Sequence, residues 1–155
     1  MFSNILRGLF GGAIGLSANF VLLGIADYFG VVTARGGFQK LVKVWFGGPL
    51  GEIGAATVWG QMHLPDPSSS TFVNGFKIAV GLAFALVYIV IKPYLPGGRV
   101  ARGLIYALIV WLLNAGLVLP LLGEGFAGVH TLTWLGIFAF AVAHTAFFVI
   151  LALIA

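Results

Sequence analysis

Cysteine is absent from this chain of 155 residues, and charged side chains make up only 8% of it. Without cysteine, the chain has no disulfide, no thiolate metal site and no cysteine nucleophile. The scarcity of charge excludes a water-soluble monomer, because soluble domains contain about 25% charged and about 45–50% apolar residues. Here 61% of the residues are hydrophobic, and the mean hydropathy is +1.11. The composition therefore predicts an integral membrane protein with a single domain over residues 1–155.

Acidic residues are also few, since four Asp and Glu stand against eight Lys and Arg. We interpret the basic surplus as cations that flank membrane spans and contact lipid headgroups, and we predict no nucleic-acid partner. No serine lies beside a histidine, and the chain lacks the Glu-x-x-His pairs that build metal sites in helix bundles. The sequence therefore predicts a protein that is not an enzyme, with no catalytic residue and no metal site.

Long apolar runs are abundant. About 20 apolar residues are needed for a helix to cross the hydrocarbon core. Two short loops, "KPYLPGGR" and "GEGFAGVH", connect the last three runs and predict antiparallel neighbours. We predict an all-α integral membrane protein, a bundle of four transmembrane helices at about Ile5–Val32, Thr71–Ile91, Ala101–Leu122 and Thr131–Ala155.

The segment Thr33–Ser70 allows two interpretations. Its first part, "ARGGFQKLVKVWF", is amphipathic and is typical of a helix in the headgroup plane. A Gly-rich stretch with Pro49 and Glu52 follows, and we predict an interfacial or re-entrant segment. A fifth span is the alternative. The positive-inside rule favours the alternative, because five spans put six basic residues inside and two outside, whereas four spans divide them equally. Both interpretations place the loop from Lys92 to Arg102 in the cytoplasm.

Small residues recur at intervals of three and four within the runs. Lipid tails are as apolar as leucine, so transmembrane helices associate through close packing at small residues and through polar contacts. In the first and last spans these positions predict the surfaces on which helices pack, at Gly8, Gly11, Gly12, Gly15, Gly136, Ala139, Ala143 and Ala146. Gly81 with Ala85, and Gly103 with Ala107, are the corresponding pairs in the second and third spans.

One ionisable side chain, His144, lies inside the last run in "AFAVAHTAFF". An ionisable group at membrane depth is costly and is a candidate functional residue. It has three interpretations. The first is a neutral imidazole hydrogen-bonded to a hydroxyl, a carbonyl or Asn114 across a helix interface. The second is a ligand of haem or chlorophyll, whose ring would lie against the neighbouring phenyl groups. The third is a proton relay with Asp27 and Glu52.

Asp27, Glu52 and Asn114 form a possible polar site. Asn114 is an amide at mid-membrane depth, where an inter-helix hydrogen bond is the structural interpretation and substrate coordination the alternative. Asp27 ends the first run, and Glu52 becomes a candidate ion or proton site if its segment enters the bilayer. We predict no cofactor, with haem or chlorophyll as the alternative.

The C-terminal half is marked by "YIVIKPYLPGG", then "VARGLIYALIVWLLNAGLVLPLLGEGFAG", then a last span with one histidine. This layout resembles the small YagU-like inner-membrane proteins of bacteria, whose spans are joined by an "LPG" turn and closed by "P-x-x-G-x-G-x-x-G". The resemblance implies a multi-pass protein of the bacterial inner membrane with four spans. It names no catalytic residue.

These observations predict an accessory or scaffolding subunit that packs against other membrane proteins. The subunits of an energy-converting complex are candidate partners. Its partners are then membrane lipids and other membrane subunits or a second copy of itself. A small oligomeric transporter or channel is the first alternative. A haem- or chlorophyll-binding subunit is the second.

Overall fold

The computed structural model describes residues 2–34, 37–47 and 69–155. Within these ranges the chain is helical and contains no β-strand. Four of its helices are long and apolar enough to cross a membrane, at Ser3–Tyr28, Thr71–Tyr94, Arg99–Leu121 and Trp134–Ile154. The prediction of an all-α bundle with four membrane-spanning helices is confirmed, and the chain is a multi-pass membrane protein.

Helix α1 covers Phe2–Tyr28 and ends four residues earlier than predicted. Gly30 has a φ of +70°, the left-handed conformation that glycine adopts without strain. Around it, the Val31 amide donates to the Ala26 carbonyl and the Gly30 amide to the Asp27 carbonyl, both at 2.9 Å. This is a Schellman motif, which satisfies the last carbonyls of a helix and turns the chain away from its axis.

Helix α2 (Gly37–Gly47) belongs to the amphipathic stretch. Its first turn packs on the bundle, since a Cβ added to Gly37 would lie 3.2 Å from the Asn114 Oδ1 and 3.5 Å from Val118. Further along, Lys40 pairs with Glu124 in the last loop, with Nζ and Oε1 2.6 Å apart. The predicted re-entrant part of the segment, with Glu52, lies outside the described residues.

Helix α3 covers Ser70–Ile91 and is capped by Ser69, whose hydroxyl accepts from the Phe72 amide at 3.1 Å. A short 3₁₀ turn, Lys92–Tyr94, ends it. Between this turn and the start of the next helix, basic side chains donate to backbone carbonyls at the C-terminal end of the chain's last helix, as helix dipoles favour. Lys92 Nζ reaches the Ala155 oxygen at 2.8 Å, and Arg99 reaches the Leu153 carbonyl at 3.2 Å.

Helix α4 runs over Arg99–Leu121 in three pieces. An α-helix (Arg99–Leu113) gives way to a π-helical segment (Asn114–Val118), and one α turn (Leu119–Leu121) follows. Pro120 accounts for the widened turn, because it has no amide proton and its ring would clash with the carbonyl four residues earlier. A π-turn relieves this clash.

Helix α5 covers Trp134–Ile154, and the Thr133 hydroxyl caps it by accepting from the Gly136 amide at 3.2 Å. Helix α1 packs against both α3 and α5, and α4 packs against α5. In the described part of the chain, α3 and α4 meet mainly through side chains. The rings of Tyr88 and Tyr106 lie 5.5 Å apart, and the Tyr106 hydroxyl donates to the Phe84 carbonyl at 3.0 Å.

The glycines named from the sequence lie at these contacts. Cβ atoms added at Gly8 and Gly12 would meet Ile89 and Ala85 of α3, whereas those at Gly11 and Gly15 would meet the backbone of α5. The remaining positions are as follows: Gly81 faces Leu16, Gly103 faces Val149, and Gly136 faces the Val32 carbonyl. In α5, Ala143 is fully buried, whereas Ala139 and Ala146 are half-buried.

Candidate functional site

A cavity of about 360 Å³ lies within the bundle, between α1, α3, α4 and α5, and beside the first turn of α2. Most of its wall is apolar and includes several phenyl rings, those of Phe20, Phe38, Phe76, Phe84, Phe140, Phe147 and Phe148. Six other lining side chains are polar: Asn19, Gln39, Asn74, Lys77, Asn114 and His144. The cavity thus gathers polar groups inside a bundle whose other spanning residues are largely apolar.

His144 lies against two phenyl rings of its own helix. The centroid of its imidazole is 4.1 Å from that of Phe140 and 6.4 Å from that of Phe148. The Phe140 carbonyl, one turn earlier, is near the ring. The buried Nδ1, however, has no hydrogen-bond partner among the described residues. A buried polar atom without a partner is uncommon in proteins and calls for an explanation.

Asn114 is the second polar group without a partner. Only 4% of this residue is exposed, and its Nδ2 makes no hydrogen bond with any part of the chain that the structure describes. The residue begins the π-helical segment of α4, and such segments occur frequently at functional sites. Because neither Nδ2 nor His144 Nδ1 is bonded, these two atoms do not form the predicted inter-helix hydrogen bond with each other.

Three helices bring polar side chains to the same depth. Gly81 of α3 contacts Leu16 of α1, and Gly15 of α1 contacts Phe147 of α5. One turn further toward the end where α1 finishes, these three helices carry Lys77, Asn19 and His144, all of which line the cavity. Antiparallel packing at the small residues therefore sets the register of the polar residues.

Two of the lining amides are nearly as buried as Asn114. Asn19 of α1 and Gln39 of α2 are each 9% exposed. Sequence reasoning did not select Asn19, Gln39, Asn74 or Lys77 as site residues. A usable signal existed for Asn19, because it lies four residues after Gly15 and therefore continues the stripe that packs on α5. No comparable signal marked Gln39, whose helix reaches the cavity only through tertiary packing.

The other members of the predicted polar site lie elsewhere. Asp27 is exposed at the end of α1 and does not line the cavity. Glu52 is outside the described residues. A proton relay through His144 and Asp27 is therefore not assembled in this structure, whereas His144 and Asn114 line one cavity.

His144 is the candidate ligand for a tetrapyrrole metal. It lines the cavity, where the ring of a tetrapyrrole would have to lie. Within residues 2–34, 37–47 and 69–155, no three His, Asp or Glu side chains converge as metal ligands would. The arrangement is better suited to hydrogen bonding than to coordination, because the polar lining consists of four carboxamides, one ammonium group and one imidazole. Haem or chlorophyll binding stays a prediction.

Helix α2 closes one end of the cavity. Phe38 lines it, and its ring lies 6.1 Å from that of Phe84, which in turn makes an edge contact with Phe148 at 5.8 Å. The pair between Lys40 and Glu124 holds the same helix against the loop between α4 and α5. Elsewhere the wall is open, because the lining residues Phe20, Gly24 and Asn74 are exposed.

Comparison with known proteins adds no relative. No protein-family model, curated protein or solved structure matches this chain. The resemblance to YagU-like proteins accordingly stays a prediction.

Proposed function

We propose that this protein is a non-enzymatic membrane protein that binds a small amphiphilic molecule in the cavity of its helix bundle. The observation that carries the proposal is the group of buried polar side chains around an apolar space of about 360 Å³. Binding sites for small molecules typically enclose about 300–1,000 Å³ and combine apolar walls with a few placed polar groups. The cavity fits that description.

The energetics of burial support a bound molecule. In hydrocarbon surroundings, water does not satisfy a polar group, and each unsatisfied group costs several kcal/mol. Asn114 Nδ2 and His144 Nδ1 are both buried without a partner in the described chain. A ligand that hydrogen-bonds to them would offset this cost, and its apolar part would contact the phenyl rings.

The chemistry of the lining supports binding over catalysis. Two lining residues, His144 and Lys77, can act in acid–base chemistry, but the described lining includes no Ser, Thr or Tyr hydroxyl for them to activate and no Asp or Glu to orient the imidazole. Carboxamides, which form most of the polar lining, are hydrogen-bonding groups that do not titrate. We therefore assign the site no reaction.

We further propose that the protein resides in the cytoplasmic membrane of a bacterium. The turn that follows α3 and the start of α4 carry Lys92, Arg99 and Arg102, and such a group of basic residues is typical of the cytoplasmic side. The accessory-subunit hypothesis stays a prediction, together with its partners, because the outer faces of the helices are apolar and suit lipid as well as protein. The cavity favours the class of binding and transport proteins instead.

The experiment compares two substitutions on α3. Val80 lines the cavity, whereas Val90 is 67% exposed on the outer surface of the same helix. Val80→Phe should fill the cavity, and Val90→Phe should leave it unchanged. Each variant and the wild type are purified in mild detergent, and the small molecules that remain bound are extracted and quantified by mass spectrometry.

We expect one class of amphiphile to accompany the wild type and Val90→Phe and to be lost from Val80→Phe. Circular dichroism and gel filtration establish that both variants are folded. Equal amounts of the same molecules in all three samples would contradict the proposal, because those molecules would then be bound at the outer surface.

A further inference from the structure

We infer that the ligand carries a carbonyl oxygen on an apolar body and that this oxygen accepts a hydrogen bond from Asn114. This inference depends on the proposed binding function and specifies the chemistry that the site recognises. It follows from the type of the two unsatisfied atoms, from the aromatic wall and from the position of the opening.

Asn114 Nδ2 is a donor and cannot accept a hydrogen bond. The bound molecule must therefore present an acceptor at this point, and a carbonyl oxygen, which accepts and does not donate, matches this requirement. A hydrocarbon would leave the Nδ2 group unsatisfied. A site with a buried donor discriminates strongly against such a ligand, because the ligand removes access to other partners without replacing them.

His144 Nδ1 adds a second hydrogen-bonding atom to the same cavity. The nitrogen of a neutral imidazole donates in one tautomer and accepts in the other. It therefore matches a second carbonyl, as in a ring with two carbonyl groups, or the hydroxyl of a carboxyl group. Both kinds of molecule share the carbonyl that Asn114 requires.

The walls and the opening fit the rest of such a molecule. Phe140 and Phe148 flank His144, while Phe38 and Phe84 lie in edge contact, so aromatic rings form a large part of the cavity wall. Aromatic side chains attract flat rings in offset or edge contacts and also bury aliphatic chains. Since Phe20 and Gly24 are exposed at the rim, a hydrocarbon tail can extend from the cavity between the helices into lipid.

The carbonyl has two chemical sources, and the experiment separates them. The probes are a benzoquinone with a ten-carbon tail, decanoic acid, and decane, which has the apolar body but no acceptor. Binding of each radiolabelled probe to delipidated protein in detergent is measured at equilibrium. The protein variants are Asn114→Leu, Asn114→Gln, Thr145→Val and Val80→Phe.

Asn114→Leu keeps the approximate size of the side chain and removes the donor, whereas Asn114→Gln keeps an amide. Thr145→Val is the matched control, because its hydroxyl bonds the Ala141 carbonyl of its own helix and does not line the cavity. We expect Asn114→Leu to weaken binding of the carbonyl probe by about 10-fold, the effect of one hydrogen bond to a buried group. Asn114→Gln should recover part of this loss, and Thr145→Val should bind as the wild type does.

A second measurement separates loss of the donor from loss of the fold. Removing a buried donor that has no partner is neutral or stabilising in the ligand-free protein. The thermal midpoint of delipidated Asn114→Leu should therefore equal or exceed that of the wild type. The probe that loses affinity in this variant identifies the source of the carbonyl, ring or acyl chain.

Each further outcome is decisive. If Val80→Phe abolishes binding of the carbonyl probes but Asn114→Leu binds them as the wild type does, the carbonyl inference is wrong and the binding function stands. If decane binds as tightly as the carbonyl probes, the inference is wrong as well. If Val80→Phe and the wild type bind every probe equally, the proposed function itself is wrong. If neither binds any probe, the carbonyl inference is wrong, and the extraction experiment above decides the binding function.

Discussion

The closest approach between α1 and α5 gives the sharpest test of the packing. Gly15 faces the backbone of α5, and a Cβ at this position would lie 2.6 Å from the Phe147 carbonyl oxygen and 3.0 Å from the Phe147 ring. Ordinary van der Waals contact begins near 3.4 Å. The carbonyl belongs to a continuous helix and cannot rotate away. Gly15→Ala must therefore separate the two helices locally by about 0.8 Å, enough to forfeit a quarter to a half of each contact's attraction.

The expected change in stability follows from this clash. Overpacking of a close contact costs about 1–3 kcal/mol. Alanine also favours the helix by about 1 kcal/mol over glycine, which opposes that loss. Gly24→Ala provides the matched control, because Gly24 lies on the same helix and has no atom within 4 Å of an added Cβ. Both variants gain the same helix propensity, so their difference isolates the clash at about 1–3 kcal/mol.

Gly11 supplies an intermediate point. Its added Cβ would lie 3.1 Å from the Ile154 Cβ and 3.2 Å from the Leu151 carbonyl oxygen, a contact that a shift of a few tenths of an ångström relieves. The free energy of unfolding should therefore decrease in the order Gly24→Ala, Gly11→Ala, Gly15→Ala. Reversible unfolding in mixed micelles of increasing SDS fraction, followed by circular dichroism, measures it. Equal stabilities of Gly15→Ala and Gly24→Ala would refute the close approach of α1 and α5.

Three further results are expected. Tyr106→Phe removes the hydroxyl that bonds the backbone of α3 at 3.0 Å, and should lower the free energy of unfolding by about 0.6 kcal/mol and by no more than about 1.7 kcal/mol, the average and the maximum for such bonds in membranes. A loss above about 3 kcal/mol would show a larger role for this tyrosine. Lys40→Glu should accelerate hydrogen exchange in α2, and exchange should return to the wild-type rate when Glu124→Lys is added; failure of the double variant to restore it would show that the ion pair does not hold α2. The Lys40 side chain is half-exposed, so the change in total stability should stay within about 1 kcal/mol. In this cysteine-free chain, single cysteines at Tyr94 and Val129 should react with impermeant reagents from opposite faces, Tyr94→Cys from the cytoplasm; labelling from one face would contradict the order of spans.

The membrane-spanning helices could be predicted from the sequence because they depend on the chemistry of neighbouring residues. Runs such as Thr71–Ile91 predicted spans, and the observed α3 at Ser70–Ile91 differs by one residue at its start. Boundaries shifted where the cap decided them. Gly30 ended α1 before Val32, and the Thr133 cap started α5 after Thr131. These caps depend on backbone conformations that a count of apolar residues does not report.

Only part of the polar site could be predicted from the sequence. His144 and Asn114 stood out because each interrupts an apolar run, and both line the cavity. Asp27 was selected because it is a carboxylate at the end of the first run, yet it is exposed and does not line the cavity. Periodicity identifies a polar residue within a span but does not show whether its side chain points to a cavity, a neighbour or the membrane surface.

The sequence by itself determined that this is a multi-pass helical membrane protein, because hydrophobicity and span length are sums over neighbouring residues. It also marked the glycines at which helices approach. Only the tertiary structure decided that Asn19, Gln39, Asn114 and His144 line one cavity, since they belong to four different helices. They lie at a common depth because packing aligns α1, α4 and α5 and because α2 packs against these helices. Such alignment depends on contacts between residues far apart in the chain.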